Sequence, residues 1–165
     1  MNILITGGAG FIGSNFTRYW AKKYPSDNIV VYDKLTYAGN KENLKELFES
    51  PLFTFVEGDI LDASLLEKTI KENSVETIVH FAAETHVDRS ITDPETFVMT
   101  NVIGTLRILE VIRKYPTIRF HHISTDEVFG ELPLDDPNAK FNENTPYDPR
   151  SPYSASKASS DHLVR

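Results

Sequence analysis

The chain has 165 residues, 40% of them hydrophobic and 25% charged, an ordinary balance for one globular domain with its own core. A net charge of −7, with acids and bases interspersed, argues against nucleic acid as a partner but leaves room for a local pocket holding one small phosphate ligand. The absence of cysteine excludes disulfides, thiolate metal sites and thiol catalysis, and no apolar run approaches the roughly eighteen residues of a membrane span.

The N-terminus enters an apolar run at once, Ile3-Leu4-Ile5, with no basic lead-in and no cleavage site; no export signal is read and a cytoplasmic location is expected. From there β-rich runs alternate with helical ones, which predicts an α/β fold, a Rossmann-like doubly wound parallel sheet. Strands are expected at Asn2–Thr6, Asn28–Asp33, Phe53–Gly58, Thr77–Phe81 and Arg119–Ser124. Between them, Phe11, Ile12, Phe16, Tyr19 and Trp20 recur at helical spacing, as do Leu44, Leu47 and Phe48, then Leu65, Leu66 and Ile70. A long fourth helix is marked by Phe97, Val98, Val102, Leu106, Leu109 and Ile112, with its apolar face expected in the core. Phe129–Pro152, rich in proline and acids, reads as a long loop. A last helix opens near Pro152 or Tyr153 and reaches Arg165 with no stop signal, so the chain is expected to be truncated.

Gly7-Gly8-Ala9-Gly10-Phe11-Ile12-Gly13 follows the first strand and opens a helix, satisfying G-x-G-x-x-G through Gly8, Gly10 and Gly13 and G-x-x-G-x-x-G through Gly7, Gly10 and Gly13. Glycine is needed where the turn takes unusual dihedrals, where backbone approaches a pyrophosphate and where helix meets sheet; free amides at the helix start then face the anion. The second strand ends at Asp33, about twenty residues on, where an acid suits adenosine ribose hydroxyls. A dinucleotide site is therefore expected, NAD rather than NADP because a carboxylate repels a 2′-phosphate, with Lys34 beside it as the one opposing feature. Asp59-Ile60 and Phe81-Ala82-Ala83, at two further strand ends, suit the adenine edge and a close backbone approach, though turn chemistry alone would explain them equally well.

Tyr153 and Lys157 stand at i and i+4, one above the other on a helix face. A nearby cation favours phenolate, which makes Tyr153 a candidate base toward an alcohol. His121-His122 lie in a strand whose neighbours face opposite ways and do not suit one ion; His86 is either a ligand contact or a structural histidine. Asp88 and Arg89 read as a local ion pair, with a phosphate contact by Arg89 as the alternative. Asp126-Glu127, after the fifth strand, are in isolation a solvated loop, but beside a hydride-transfer site they supply the acid and base of an elimination.

With these residues the chain resembles the extended short-chain dehydrogenase/reductase superfamily over essentially its whole length. Within it, Ser124-Thr125-Asp126-Glu127-Val128-Phe129-Gly130 is similar to the signature of nucleotide-sugar 4,6-dehydratases, the dTDP-glucose type most closely. The strings Phe81–Ser90, Thr100–Thr105 and Ser151–Asp161 support it; Thr85 stands where that family usually has Ser, and Phe129 where Tyr is common.

The resemblance implies bound NAD, contacted by Gly7, Gly10, Phe11, Ile12 and Gly13, by Asp33, Lys34 and Thr36, by Asp59 and Ile60, by Phe81, Ala82 and Ala83, and by Thr100, Tyr153 and Lys157. It implies substrate contacts from Thr85, Thr125, Asp126 and Glu127. It also implies a three-step reaction on a nucleotide sugar, dTDP-glucose above all. Tyr153 deprotonates the 4-hydroxyl, steadied by Thr125, as hydride leaves C4 for NAD, while Lys157 orients the cofactor ribose. Glu127 then removes the acidified C5 proton while Asp126 protonates the departing 6-hydroxyl. Finally hydride returns to C6 and Glu127 returns a proton to C5. By the same resemblance residues 1–165 are an NAD-binding domain whose nucleotide-sugar part is largely absent, and the long helix and the Tyr153 helix build a homodimer interface. A UDP-sugar epimerase or decarboxylase, or an NAD-binding fragment without activity, are the competing readings; the Asp126-Glu127 pair argues against an epimerase.

Overall fold

The computed structural model describes residues 1–165. Its five strands are β1 (Asn2–Thr6), β2 (Asn28–Asp33), β3 (Phe53–Glu57), β4 (Thr77–His80) and β5 (Arg119–His122), all parallel in the order β3-β2-β1-β4-β5. β1 and β2 match the sequence expectation, and the other three end one or two residues early. Both faces of the sheet are covered, so the alternation along each strand feeds two cores rather than a core and a solvent side. Leu4, Val30, Tyr32 and Ile78 point to one, with Leu66, Ile70, Ile108 and Val111. Ile3, Ile5, Ile29, Val31 and Val79 point to the other, with Leu44 and Ala9. The chain winds outward from β1 through β2 to β3, then returns to lay β4 on the other side of β1. The carboxyl ends of β1 and β4 therefore flank a topological switch point, where open α/β sheets bind ligands.

Helix α1 (Phe11–Lys23) forms where the helical spacing predicts it and packs on the sheet through small residues. Its inward face is Gly13, Ser14 and Thr17, while Phe11, Ile12 and Tyr19 are 82%, 63% and 53% exposed. Small residues let the helix approach the sheet closely; Phe16 and Trp20 pack half-buried against the second core beside them, while Phe11, Ile12 and Tyr19 stay outside. A 3₁₀ helix spans Lys41–Leu47, and α2 covers Ala63–Glu72 with Asp62 as its N-cap.

The residues after β4 form a short helix, α3 (Val87–Thr92), whose six residues are too few for periodicity to mark it. The long fourth helix is α4 (Pro94–Phe97), a π-helical turn over Val98–Gly104 and α5 (Thr105–Ile112). Its expected apolar face is only partly in the core. Phe97, Asn101, Gly104, Thr105, Ile108 and Val111 face inward, whereas Val98 is exposed and Val102, Leu106 and Leu109 are half-buried. The cause is again close approach, because the last helix, α6 (Pro152–Val164), presents Ser154, Ser156, Ala158 and Ser160 on its buried side. Ser151 caps α6 by accepting from Ser154 N, Ser154 Oγ accepts from Ser151 N in return, and Pro152 opens the first turn. Between Phe129 and Ser151 the chain is loop, as expected. No helix is long and apolar enough to cross a membrane.

Candidate active site

A cleft of about 600 Å³ lies across the carboxyl ends of the strands. Every residue that the resemblance assigns to a cofactor lines it, together with Thr85. Each strand contributes through the residues that follow it: Gly7 after β1, Asp33 at the end of β2, Asp59 after β3, Phe81 after β4 and Ile123 after β5.

The glycines of the first turn do different things. Gly7 holds a φ of +70°, and a Cβ there would lie 2.5 Å from Ala82 N. A Cβ on Gly13 would strike the Gly7 carbonyl. Both are packing requirements. At Gly10 a Cβ would meet Gly7 O at 3.3 Å and Ala38 O at 3.9 Å and otherwise open space, on the side lining the cleft. Gly10 is also the N-cap of α1, with no side chain to satisfy the first-turn amides and no acid in that turn. Uncapped amides, the positive end of the helix and an open approach fit a pyrophosphate.

Asp33 is 8% exposed and ties the turn to β2, accepting from Ala9 N at 2.9 Å and from Leu35 N at 2.8 Å. Each oxygen keeps acceptor capacity for a ribose hydroxyl. Lys34, the feature that opposed NAD, is held at 2.7 Å by Asp59 Oδ2. Its charge is thus neutralised locally.

Across the cleft mouth Tyr37 joins two loops. Its hydroxyl donates to Thr85 O at 3.2 Å, and the Arg89 guanidinium lies 3.7 Å from its ring centroid. Arg89 therefore stacks on Tyr37, and no ion pair with Asp88 forms. Burial beside Glu84 pushes the Tyr37 phenol upward, keeping it a donor. His86, also in the lining, holds a φ of +77°, a local strain at the mouth.

On the far wall α6 brings Tyr153 and Lys157 into the lining. Tyr153 packs edge-on to Phe97, centroids 6.2 Å apart. Lys157 is 4% exposed and donates from Nζ to Ile123 O at 2.6 Å. Burial pulls its ammonium down to about 8, against the opposing pull of Asp161.

Asn101, in the π-helical turn, is a residue the sequence reading did not single out. Its amide exchanges two hydrogen bonds with the Glu84 backbone, at 2.8 and 3.0 Å, and donates to Ser156 Oγ at 2.9 Å. Ser156 Oγ in turn donates to Tyr153 O at 2.7 Å. A buried amide thus fixes the loop after β4 to the helix carrying Tyr153. The available signal was a polar residue on the inward side of an apolar helix. Tyr37, Gly39, Glu84 and Thr96 also line the cleft and carried no local signal.

Thr125, Asp126 and Glu127 are not part of that lining. Asp126 and Glu127 begin a 3₁₀ turn, Asp126–Phe129, next to Ser124, which does line the cleft. Thr125 is half-buried and caps the turn, accepting from Glu127 N at 3.3 Å. Asp126 and Glu127 are exposed, and neither enters an ion pair with a basic side chain.

The profile of the family described as GDP-mannose 4,6 dehydratase matches residues 4–165. A dTDP-glucose 4,6-dehydratase of Mycobacterium tuberculosis is 52% identical over all of this chain and 48% of its own length. One of Salmonella typhimurium is 50% identical over all of this chain and 50% of its own. The crystal structure of a dTDP-glucose 4,6-dehydratase of Bacillus anthracis in complex with NAD superposes with a TM-score of 0.88 at 49% identity, covering 99% of this chain and 49% of that one. The chain thus spans about half the length of the curated relatives it matches. It belongs to the GDP-mannose 4,6 dehydratase family and has the extended short-chain dehydrogenase/reductase fold.

Proposed function

We propose that the protein carrying this chain is an NAD-dependent dTDP-glucose 4,6-dehydratase, and that residues 1–165 are its cofactor-binding half. The observation that carries this reading is the convergence of the glycine turn, Asp33, Tyr153 and Lys157 on one cleft, with a carboxylate pair just beyond its wall. The substrate follows the printed activity of relatives at about half identity.

Gly10 and the first turn of α1 would hold the pyrophosphate, Asp33 the adenosine ribose, and Lys157 the second ribose. NAD, when bound, supplies a hydride acceptor at C4 of the sugar and later a donor at C6. Tyr153 takes the proton of the 4-hydroxyl, and the Thr125 hydroxyl steadies that oxygen. The resulting 4-keto group acidifies the C5 proton, which is otherwise far too weak an acid for a carboxylate. Glu127 removes it, Asp126 protonates the departing 6-hydroxyl, and water leaves. Glu127 then returns its proton to C5. The partly exposed stripe of Val98, Val102, Leu106 and Leu109 supports a second copy of the chain as partner.

The test is to incubate the full-length gene product with dTDP-glucose and NAD and to follow the alkali-induced absorbance of a 4-keto sugar. Its appearance is expected; its absence, with NAD bound, would leave only a dinucleotide-binding protein. A chain of 165 residues alone is expected to bind NAD without turnover, since it spans half the length of its relatives.

A further inference from the structure

Asp161 takes no part in the chemistry above, yet it is 8% exposed and lies one turn beyond Lys157. Tyr153, Lys157 and Asp161 stand at i, i+4 and i+8, three successive turns of one face of α6. Two of them fasten the end of β5. Lys157 donates to Ile123 O at 2.6 Å, and Asp161 Oδ2 accepts from Ser124 Oγ at 2.6 Å. The same Oδ2 accepts from Tyr147 OH at 3.0 Å, and His122 Nε2 lies 3.2 Å from Oδ1. His122, Ile123 and Ser124 run directly into Thr125, Asp126 and Glu127.

Tyr147 approaches from the opposite side. It packs edge-on to Phe129, centroids 5.3 Å apart, and its neighbour Asp148 donates from N to Val128 O at 3.0 Å. Asp161 therefore joins three segments around the 3₁₀ turn that bears the acid pair: the strand end, the long loop and α6. Burying a carboxylate is costly, and an apolar side chain would cement α6 to the sheet without that cost. What the carboxylate adds is directional acceptance from several donors at once.

We propose that Asp161 is a positioning residue, fixing the Asp126–Glu127 turn relative to Tyr153 so that oxidation at C4 and elimination across C5–C6 act on one bound sugar. The inference rests on the dehydratase reading above.

The test compares Asp161→Asn with the parent full-length protein. Both hydrogen bonds fall on Oδ2, and a neutral amide oxygen accepts them more weakly than a carboxylate while its NH2 group replaces the charge beside His122, so the hold on the turn weakens. Amide hydrogen exchange at Val128 and Gly130, the backbone donors of the turn, is expected to accelerate without ligand present. In single turnovers C4 oxidation is expected to stay within about twofold, while elimination and solvent exchange at C5 slow about tenfold or more with little change in KM. Ser124→Ala, which removes one contact and leaves the carboxylate, is expected to move the same ratio less, and it decides the matter if Asp161→Asn does not fold. Equal slowing of both partial reactions, or a lower Tm with unchanged exchange at Val128 and Gly130, would reduce Asp161 to packing and overturn the proposal. If the parent protein forms no 4-keto sugar, the dehydratase reading fails, while the exchange measurement still reports on the tether.

Discussion

Lys157 donates from its buried Nζ to the carbonyl of Ile123, so the ammonium of the Tyr153–Lys157 pair is clasped by the end of β5. Burial lowers its pKa to about 8, whereas the unfolded chain holds that proton to about 10.4. Between these values the unfolded state binds more protons, so the contribution of Lys157 to stability rises with pH; below pH 8 both states are charged and the full burial cost applies. The unfolding free energy of the chain is therefore expected to gain on that of Lys157→Met as pH climbs from 8 toward 10, by about 3 kcal/mol at most. Calorimetry of both proteins across that range checks it. A constant difference would mean that the ammonium is not desolvated.

Gly7 and Gly10 separate packing from binding. Gly7→Ala places a side chain at positive φ against Ala82 N and is expected to cost about 2–4 kcal/mol of stability. Gly10→Ala meets little protein, so its Tm should stay near the parent value while NAD affinity falls about tenfold or more. Calorimetry paired with a titration of NAD distinguishes them, and an unweakened Gly10→Ala would remove the pyrophosphate from that turn.

The Lys34–Asp59 pair bears on cofactor choice. With Lys34 engaged, Asp33 faces a 2′-phosphate unopposed, so NADP should bind at least about tenfold more weakly than NAD, a repulsion of only ~1.4 kcal/mol. Lys34→Ala should leave that preference standing. Titration of both cofactors reads it directly, and equal affinities would contradict the role given to Asp33.

Tyr153 and Glu127 should fail at different steps. In the full-length protein Tyr153→Phe is expected to abolish C4 oxidation, since no other group is offered for the 4-hydroxyl proton. Glu127→Gln should still oxidise C4 but lose solvent exchange at C5, slowing turnover about a hundredfold or more. Rapid mixing followed by mass analysis in heavy water resolves the two. Deuterium entering C5 at the parent rate would take the base role from Glu127.

Much of this was legible in the chain. The strands that carry two-sided apolar alternation, from Ile3 to Ile5 and from Ile29 to Tyr32, could be bounded because burial on both faces leaves little freedom of register. The cleft residues of the first three strands were legible because β1, β2 and β3 run into Gly7, Asp33 and Gly58-Asp59, the glycines and acids that the turn chemistry requires. Side assignment on the helices was not. Phe11 and Ile12 face outward because Gly13, Ser14 and Thr17 allow α1 onto the sheet, and Val98 is displaced by Asn101 and Gly104 for the same reason. Hydrophobic periodicity marks a helix but not which face gains most from close approach. Tyr37 and Asn101 were hidden because their partners, Thr85 and Glu84, lie far along the chain.

The central claim, that one cofactor borrows a hydride at C4 and gives it back at C6, is tested most directly by isotopic transfer. Incubation of the full-length protein with dTDP-glucose deuterated at C4 should yield a 4-keto-6-deoxy product carrying that deuterium at C6. Deuterium retained at C4 of an epimerised sugar, or lost to solvent, would contradict it.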